Sequence, residues 1–116
     1  MAFTRIVPLT KEAETITRIL AHEIQQVVRE AVTICWDAPP ADIITVIEEC
    51  RVVVADPIAR ELNSHPEVLV LIFTSDEDKR PRVQDLVDRI ASRFPVGLKA
   101  EIWVTIFDGW GLNFDL

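Results

Sequence analysis

The sequence has few of the residues on which several classes of function depend. Its 116 residues include three glycines, two cysteines and two histidines. A phosphate-binding loop needs closely spaced glycines between a strand and a helix, and Gly109 and Gly111 lie instead in a short tail. His22 and His65 have no cysteine or second histidine at the spacing of metal ligands. We therefore expect no cofactor and no metal.

Clusters of positive charge and long apolar runs are also absent. Residues 1–58 carry five basic and nine acidic side chains, and residues 59–116 carry seven and ten, within a net charge of −7. This even acidic balance argues against nucleic acid and anionic membranes as partners. No apolar run approaches the ~18 residues of a membrane span, and the first residues do not resemble a signal peptide. We expect a cytoplasmic protein with Cys35 and Cys50 as reduced core thiols.

The first half of the chain has the pattern of a strand, a long helix and a second strand. Phe3–Leu9 is rich in β-branched residues, which predicts a strand, and Thr10 can cap the helix that follows. Pro39 and Pro40 should end this helix, and Ile43–Val54 is predicted to be the second strand. The predicted apolar stripe of the helix comprises Ile16, Ile19, Leu20, Ile24, Val27, Val28, Ala31, Val32 and Cys35.

The second half repeats this order. Glu67–Phe73 is almost entirely apolar, which predicts a strand buried on both faces. A helix should open at Ser75 or Asp76 and end before Pro95, and Ala100–Phe107 is the predicted last strand. The helix has an apolar stripe of Val83, Leu86, Val87, Ile90 and Phe94.

These elements predict one α/β domain over residues 1–116, with a pseudo-repeat of 1–54 and 67–108. The connection includes one helical turn around Pro57–Leu62. Two β-α-β units can form a split, ferredoxin-like sheet or two compact parallel units side by side. In the second case, a four-stranded sheet has two helices on one face. Because the strands are too apolar for the other face to meet water, we expect self-association.

Several segments resemble the tautomerase superfamily. DAPPADIITVIEE (Asp37–Glu49) is similar to the first unit of 4-oxalocrotonate tautomerase-like proteins. PEVLVLIF (Pro66–Phe73) with Arg82-Val83 resembles a small bacterial branch of unknown function, and EIWVTIFD (Glu101–Asp108) resembles the last core strand of macrophage migration inhibitory factor (MIF). The resemblance implies a MIF-like fold, a homotrimer and isomerase chemistry.

The family's chemistry uses an amino-terminal proline as the base, and this chain departs from that pattern. The residue after Met1 is Ala2, and Pro8 is internal. If Met1 were removed, Ala2 would offer a primary amine with a typical pKa of ~7.7–8.0. That amine could act as a weak general base in a pocket that lowered its pKa.

The resemblance also implies a small carboxylate ligand, which Arg5, Arg51 or Lys99 could bind. Trp103 falls where the resemblance places an aromatic residue at the pocket edge. The alternative is that the three cations are solvated charges and Trp103 is a packed strand residue or subunit contact. Two tail residues, Trp110 and Phe114, are expected first as contacts between subunits.

Three functions fit this sequence, and one of them is catalytic. The first is a weak keto-enol isomerase of small 2-oxo acids, although the missing amino-terminal proline argues against the standard proline-dependent activity. The second is a non-catalytic domain that binds a small ligand or a protein. The third is a ferredoxin-like regulatory module that binds a metabolite at a dimer interface. Glu48 and Glu49 are adjacent in a predicted strand and face opposite ways, so they are not an acid/base pair.

Overall fold

A mixed sheet forms one layer of the structure. The computed structural model describes residues 2–50, 56–62, 65–95 and 97–107. The strands are β1 (Ala2–Pro8), β2 (Ile43–Ile47), β3 (Val68–Thr74) and β4 (Ala100–Ile106), in the order β2-β1-β3-β4. β1 is parallel to β2, β3 is parallel to β4, and β1 and β3 are antiparallel. The parallel strands of each half are direct neighbours, so the split arrangement was the wrong alternative.

Helices cover one face of this sheet. The helices of the chain are α1 (Lys11–Ile19), α2 (Ala21–Trp36), the exposed α3 (Pro57–Glu61) and α4 (Val83–Arg93), with 3₁₀ turns at Pro40–Asp42 and Glu77–Arg82. The two long helices, α2 and α4, pack against each other and against the sheet. The predicted α/β architecture, with two β-α-β units and two main helices on one face, is confirmed.

The first predicted helix is broken at Leu20 into α1 and α2. Within α1, Ala13 and Thr17 are four residues apart and so share one face of the helix, and both are buried. Ile16 and Ile19 therefore lie off the stripe, and Ile19 is 76% exposed. Their assignment to the stripe was wrong because apolar side chains were counted while the inward positions belong to a threonine and an alanine.

The second strand ends at Ile47, seven residues earlier than predicted. Its ladder with β1 closes at the Ile6–Ile47 pair, followed by a 2.9 Å bond from the Glu48 N–H to the Ile6 carbonyl oxygen. The N–H of Cys50, two residues further along the chain, donates instead to the Glu14 carboxylate of α1. This contact draws the chain out of the ladder, and residues 51–54 lie outside the described part.

The other predicted ends of helices lie close to those in the structure. The Thr10 hydroxyl accepts a 3.0 Å hydrogen bond from the Ala13 N–H and caps α1 as predicted. α4 ends at Arg93, with Gly97 beyond it at φ +100°, a region that favours glycine. Cys35 is buried as expected, whereas Cys50 is only half-buried, and both are free thiols.

The core lies between the sheet and α2 and α4. Alternate residues of β1 and β3 point into this core. Among the described residues, no helix is long and apolar enough to cross a membrane. The buried apolar residues of the core are Ala2, Ile6, Ala13, Ile24, Val28, Ala31, Val32, Cys35, Trp36, Ile43, Val68, Val70, Ile72, Leu86 and Ile90.

Candidate functional site

Ala2 lies at the start of a central strand. Its Cα partners are Ile43 on β2 and Thr74 on β3, and it is only 2% exposed. A mature chain that began at this residue would therefore place its α-amine between two neighbouring strands. We call this end of the sheet, with Ala2, Ile43, Thr74 and Lys79, the strand-end site.

Lys79 reaches this end of the sheet from the turn after β3. The Asp76 side chain caps that turn by accepting a 3.0 Å bond from the Asp78 N–H, and the Lys79 N–H bonds the Asp76 carbonyl oxygen at 3.1 Å. Lys79 Nζ donates to the Trp36 carbonyl oxygen at 2.5 Å, where the dipole of α2 favours a cation. It also lies 3.7 Å from Asp76 Oδ2.

Sequence reasoning missed Lys79 as a site residue. From the sequence, Lys79 falls in the first turns of the helix that is predicted to open at Ser75 or Asp76. One signal in the sequence could have identified Lys79. It lies three residues, or one 3₁₀ turn, after the capping Asp76, so the turn brings its side chain back towards the end of β3. It is the half-buried cation that the described structure places at the same end as Ala2.

Lys99 lies at the other end of the sheet. The residue after it, Ala100, pairs with Val68, which pairs with Pro8. Pro8 is six residues from Ala2 along β1, or about 20 Å in an extended strand. Lys99 and Ala2 are therefore not brought together within one chain. The Lys99 N–H donates to Glu67 Oε2 at 3.1 Å, and the Lys99 carbonyl oxygen accepts from the Glu67 N–H at 2.7 Å.

Arg5 and Trp103 share the face of the sheet that the helices leave uncovered. We call this surface the open face. The register aligns Val46, Arg5, Leu71 and Trp103 in one row, so Arg5 and Trp103 are separated by β3, at about 10 Å. The open face comprises Phe3, Arg5, Val7, Ile44, Val46, Glu48, Leu69, Leu71, Phe73, Glu101, Trp103 and Thr105.

The Arg5 guanidinium is already engaged by a carboxylate. Its Nε lies 2.5 Å from Glu48 Oε2, and its Nη2 lies 2.9 Å from Glu48 Oε1, which is the two-pronged geometry that arginine forms with carboxylates. Hydrogen bonding and the charge of Glu48 raise the pKa of Arg5. A ligand carboxylate could bind Arg5 only by displacing Glu48. Glu49 has a different partner, Arg18 on α1, at 3.4 Å.

Trp103 is 57% exposed, and its indole Nε1 donates to Glu101 Oε1 at 2.9 Å. It is therefore a surface residue of the edge strand β4 in the single chain. Three other predicted residues, Arg51, Trp110 and Phe114, lie outside the described residues. Within the described ranges, no group of three or more His, Cys, Asp or Glu side chains could hold a metal ion.

Comparison with known proteins places the fold. No family model and no curated protein matches the sequence. Among solved structures, a MIF-like protein from Entamoeba histolytica is 13% identical, with a TM-score of 0.59 over 97% of this chain and 93% of that one. FG41 malonate semialdehyde decarboxylase inhibited by 3-bromopropiolate is 16% identical, with a TM-score of 0.52 over 97% and 89%.

A third solved structure, Pt0534 inactivated by 2-oxo-3-pentynoate, is 12% identical, with a TM-score of 0.54 over 91% of this chain and 85% of that one. These neighbours are members of the tautomerase superfamily. The chain has the tautomerase, MIF-like fold, and the resemblance found in the sequence is confirmed at the level of the fold.

Proposed function

We propose that this protein is a diverged tautomerase-like isomerase that acts on small 2-oxo or enol acids, with the α-amine of Ala2 as its base. One observation carries the proposal. Ala2 is the buried first residue of a central strand, held between Ile43 and Thr74. Removal of Met1 would leave the amine at a site enclosed on both sides by strands.

The surroundings of Ala2 suit a weak base. Burial beside Ile43 would disfavour the charged ammonium form and so lower the pKa of the amine towards neutrality. The neutral amine could then take the proton from an enol oxygen and return a proton to the neighbouring carbon. One O–H bond breaks and one C–H bond forms, with no net change in the base.

The ligand class is a small carboxylate. The two inhibitors named with the solved neighbours, 3-bromopropiolate and 2-oxo-3-pentynoate, are short unsaturated carboxylates that act on those proteins. In this chain, Lys79 lies at the same end of the sheet as Ala2, and its ammonium would bind a carboxylate as a point charge after leaving the Trp36 carbonyl oxygen and Asp76. Arg5 would serve only after release from Glu48, and Lys99 only through a neighbouring subunit.

The test is ketonisation of phenylenolpyruvate by the natural chain and by Ala2→Pro, with each terminus checked by mass. We expect weak activity in the natural chain lacking Met1 and a clear gain in Ala2→Pro, because proline supplies a secondary amine at the same position. The same variant with an uncleaved amino-terminal tag is the control, since it has no amine at residue 2. Equal inactivity of the natural and proline forms would contradict the proposal.

A second candidate is a domain that binds a small ligand or a protein without catalysis. The occupied guanidinium of Arg5 favours it, because that cation is not offered to a ligand in this structure. The same assay separates the two functions. A chain that binds phenylenolpyruvate in a titration but does not ketonise it, with or without the proline, would be a binding protein.

We also propose that the chain self-associates through the open face, as a homotrimer in a bacterial cytoplasm. Support comes from Leu69, Leu71 and Phe73, apolar residues of a central strand that no helix of the described chain covers. Light scattering during size-exclusion chromatography tests this, with three chains per particle as the expected mass.

A further inference from the structure

Two threonine side chains lie next to each other on the face of the sheet that the helices cover. Thr4 on β1 and Thr45 on β2 are Cα partners in the parallel ladder, and the two residues are only 0% and 9% exposed. Neither hydroxyl oxygen has a hydrogen-bond partner within the described chain. The two hydroxyls therefore do not bond each other, although their residues are neighbours.

The surroundings of the pair explain why the hydroxyls find no protein partner. On β2, the residues that share the covered face with Thr45 are Ile43 and Ile47. On β3, the residue opposite Thr4 is the fully buried Ile72. Both hydroxyls are thus enclosed by apolar side chains of the sheet.

Helix α2 closes the space above this part of the sheet. The Gln25 side chain donates from Nε2 to the Thr45 carbonyl oxygen at 3.3 Å, which attaches the helix to the edge strand beside the pair. Ile24 and Val28 of the same helix are fully buried. The two hydroxyls are therefore shut off from bulk solvent.

We propose that Thr4 and Thr45 hold one water molecule between them, bonded to both hydroxyls. Buried polar atoms of native proteins are nearly always hydrogen-bonded, and ordered water serves where protein groups do not. A buried water needs two to four polar partners, and this pair supplies two. The water site is separate from the proposed catalysis, and it is present whether or not the chain is an enzyme.

The spacing of the strands suits such a bridge. Neighbouring strands lie about 4.8 Å apart, and side chains at paired positions of parallel strands repeat that spacing. A water that lies about 2.8 Å from each of two hydroxyl oxygens, with a roughly tetrahedral angle between the bonds, spans about 4.6 Å. Each hydroxyl can donate or accept, so either orientation of the water can be satisfied.

The bridge also favours the observed register of β1 and β2. A slip of two residues would keep the same side chains on the covered face but would place Thr4 opposite Ile43 or Ile47. The hydroxyls would then be too far apart to share one water. The bridge therefore stabilises the register in which Ala2 lies beside Ile43.

The first experiment is magnetisation transfer from water to threonine methyl groups in the natural chain, measured by NMR with labelled threonine. We expect cross-peaks of a long-lived water at both Thr4 and Thr45. Thr17 is the matched control, because it is equally buried but its hydroxyl already donates to the Glu14 carbonyl oxygen at 3.1 Å. It also controls for exchange of hydroxyl protons with bulk water.

The second experiment is a double-mutant cycle of Thr4→Val and Thr45→Val, measured by urea denaturation. Each single variant should raise the unfolding equilibrium constant roughly 10-fold, because the remaining hydroxyl and its water lose a bond. The double variant should unfold no more readily than either single variant, since replacing both partners by apolar groups is close to neutral. Thr17→Val combined with Thr4→Val is the control, and there the two effects should multiply.

Each outcome decides for or against the bridge. A long-lived water at neither threonine, or at only one of them, overturns it. Valine variants that are more stable than the natural chain would show that the hydroxyls are simply unpaired. Effects of Thr4→Val and Thr45→Val that multiply would show that the two hydroxyls share no water.

Discussion

The central strand β3 is apolar on both faces of the sheet, but only one of these faces is covered by the chain. On β3, Val68, Val70 and Ile72 are fully buried under the helices, whereas Leu69 and Leu71, which alternate with them, are only half-buried. The apolar residues of a strand therefore indicate how much of its surface is buried in the functional form of the protein. They do not report which chain provides the cover, and for the open face we have proposed a second copy of this chain.

The largest effect is expected on the covered face. Ile72→Ala removes a fully buried side chain from the central strand β3, so it should lower the free energy of unfolding by about 2–5 kcal/mol. Urea denaturation followed by circular dichroism measures this. A loss below about 1 kcal/mol would mean that the core collapses around the smaller residue, and that the covered face is less tightly packed than described.

The neighbouring residue on the open face provides the matched comparison. Leu71→Ala should change the unfolding free energy of the dilute, monomeric protein by less than Ile72→Ala does, because Leu71 is not covered within its own chain. It should instead shift the sedimentation profile towards smaller species. If Leu71→Ala destabilised the monomer as much as Ile72→Ala and left assembly unchanged, the two faces would not differ as we describe.

A smaller effect is expected at the amino-terminal end of α1. Thr10→Ala removes the hydroxyl that accepts the Ala13 N–H, so α1 should lose its cap at a cost of about 1 kcal/mol in unfolding free energy. Thr10→Ser keeps the hydroxyl and is the control. Equal stability of the serine and alanine variants would show that the hydrogen bond adds nothing.

The smallest effect depends on pH. The backbone N–H of Cys50, followed by the charges of Lys11 and Arg18, lowers the pKa of Glu14 below its ordinary value. A carboxyl with a lowered pKa in the folded state adds stability above its unfolded pKa of about 4.3, and that stability disappears as the pH falls through the folded pKa. Glu14→Gln should therefore destabilise the protein at pH 7 and match the natural chain near pH 2. A difference that stays constant with pH would contradict this role.

The elements of the fold could be predicted because local signals define them. The Thr10 cap, the apolar run of β3 and the helix stop before Pro95 each act over a few residues. The break at Leu20 and the early end of β2 could not be predicted from periodicity. The end of β2 depends on a contact distant in sequence, between the Glu14 carboxylate and the backbone of Cys50, 36 positions away.

The candidate site was less predictable because the strand register determines which residues lie at the same end of the sheet. Residue type alone gives Arg5 and Lys99 equal weight as cations that could bind a carboxylate. The register then placed Lys99 at the far end of the sheet from Ala2, and the pairing of Arg5 with Glu48 occupied the other cation. The sequence pattern places Lys79 in the first turns of a predicted helix. Its position beside the end of α2 required knowledge of where that helix ends.

The antiparallel ladder between β1 and β3 has a consequence for how this protein could be divided. It joins two units that each complete their own parallel strand pair, and α3 (Pro57–Glu61) lies on the surface between them in sequence. A chain cut after Leu62 should therefore yield two fragments that recombine like halves of a split reporter. Co-purification of a tagged first fragment with an untagged second one would show this complementation. Failure to recover the pair would show that the covalent link is what brings β1 and β3 together.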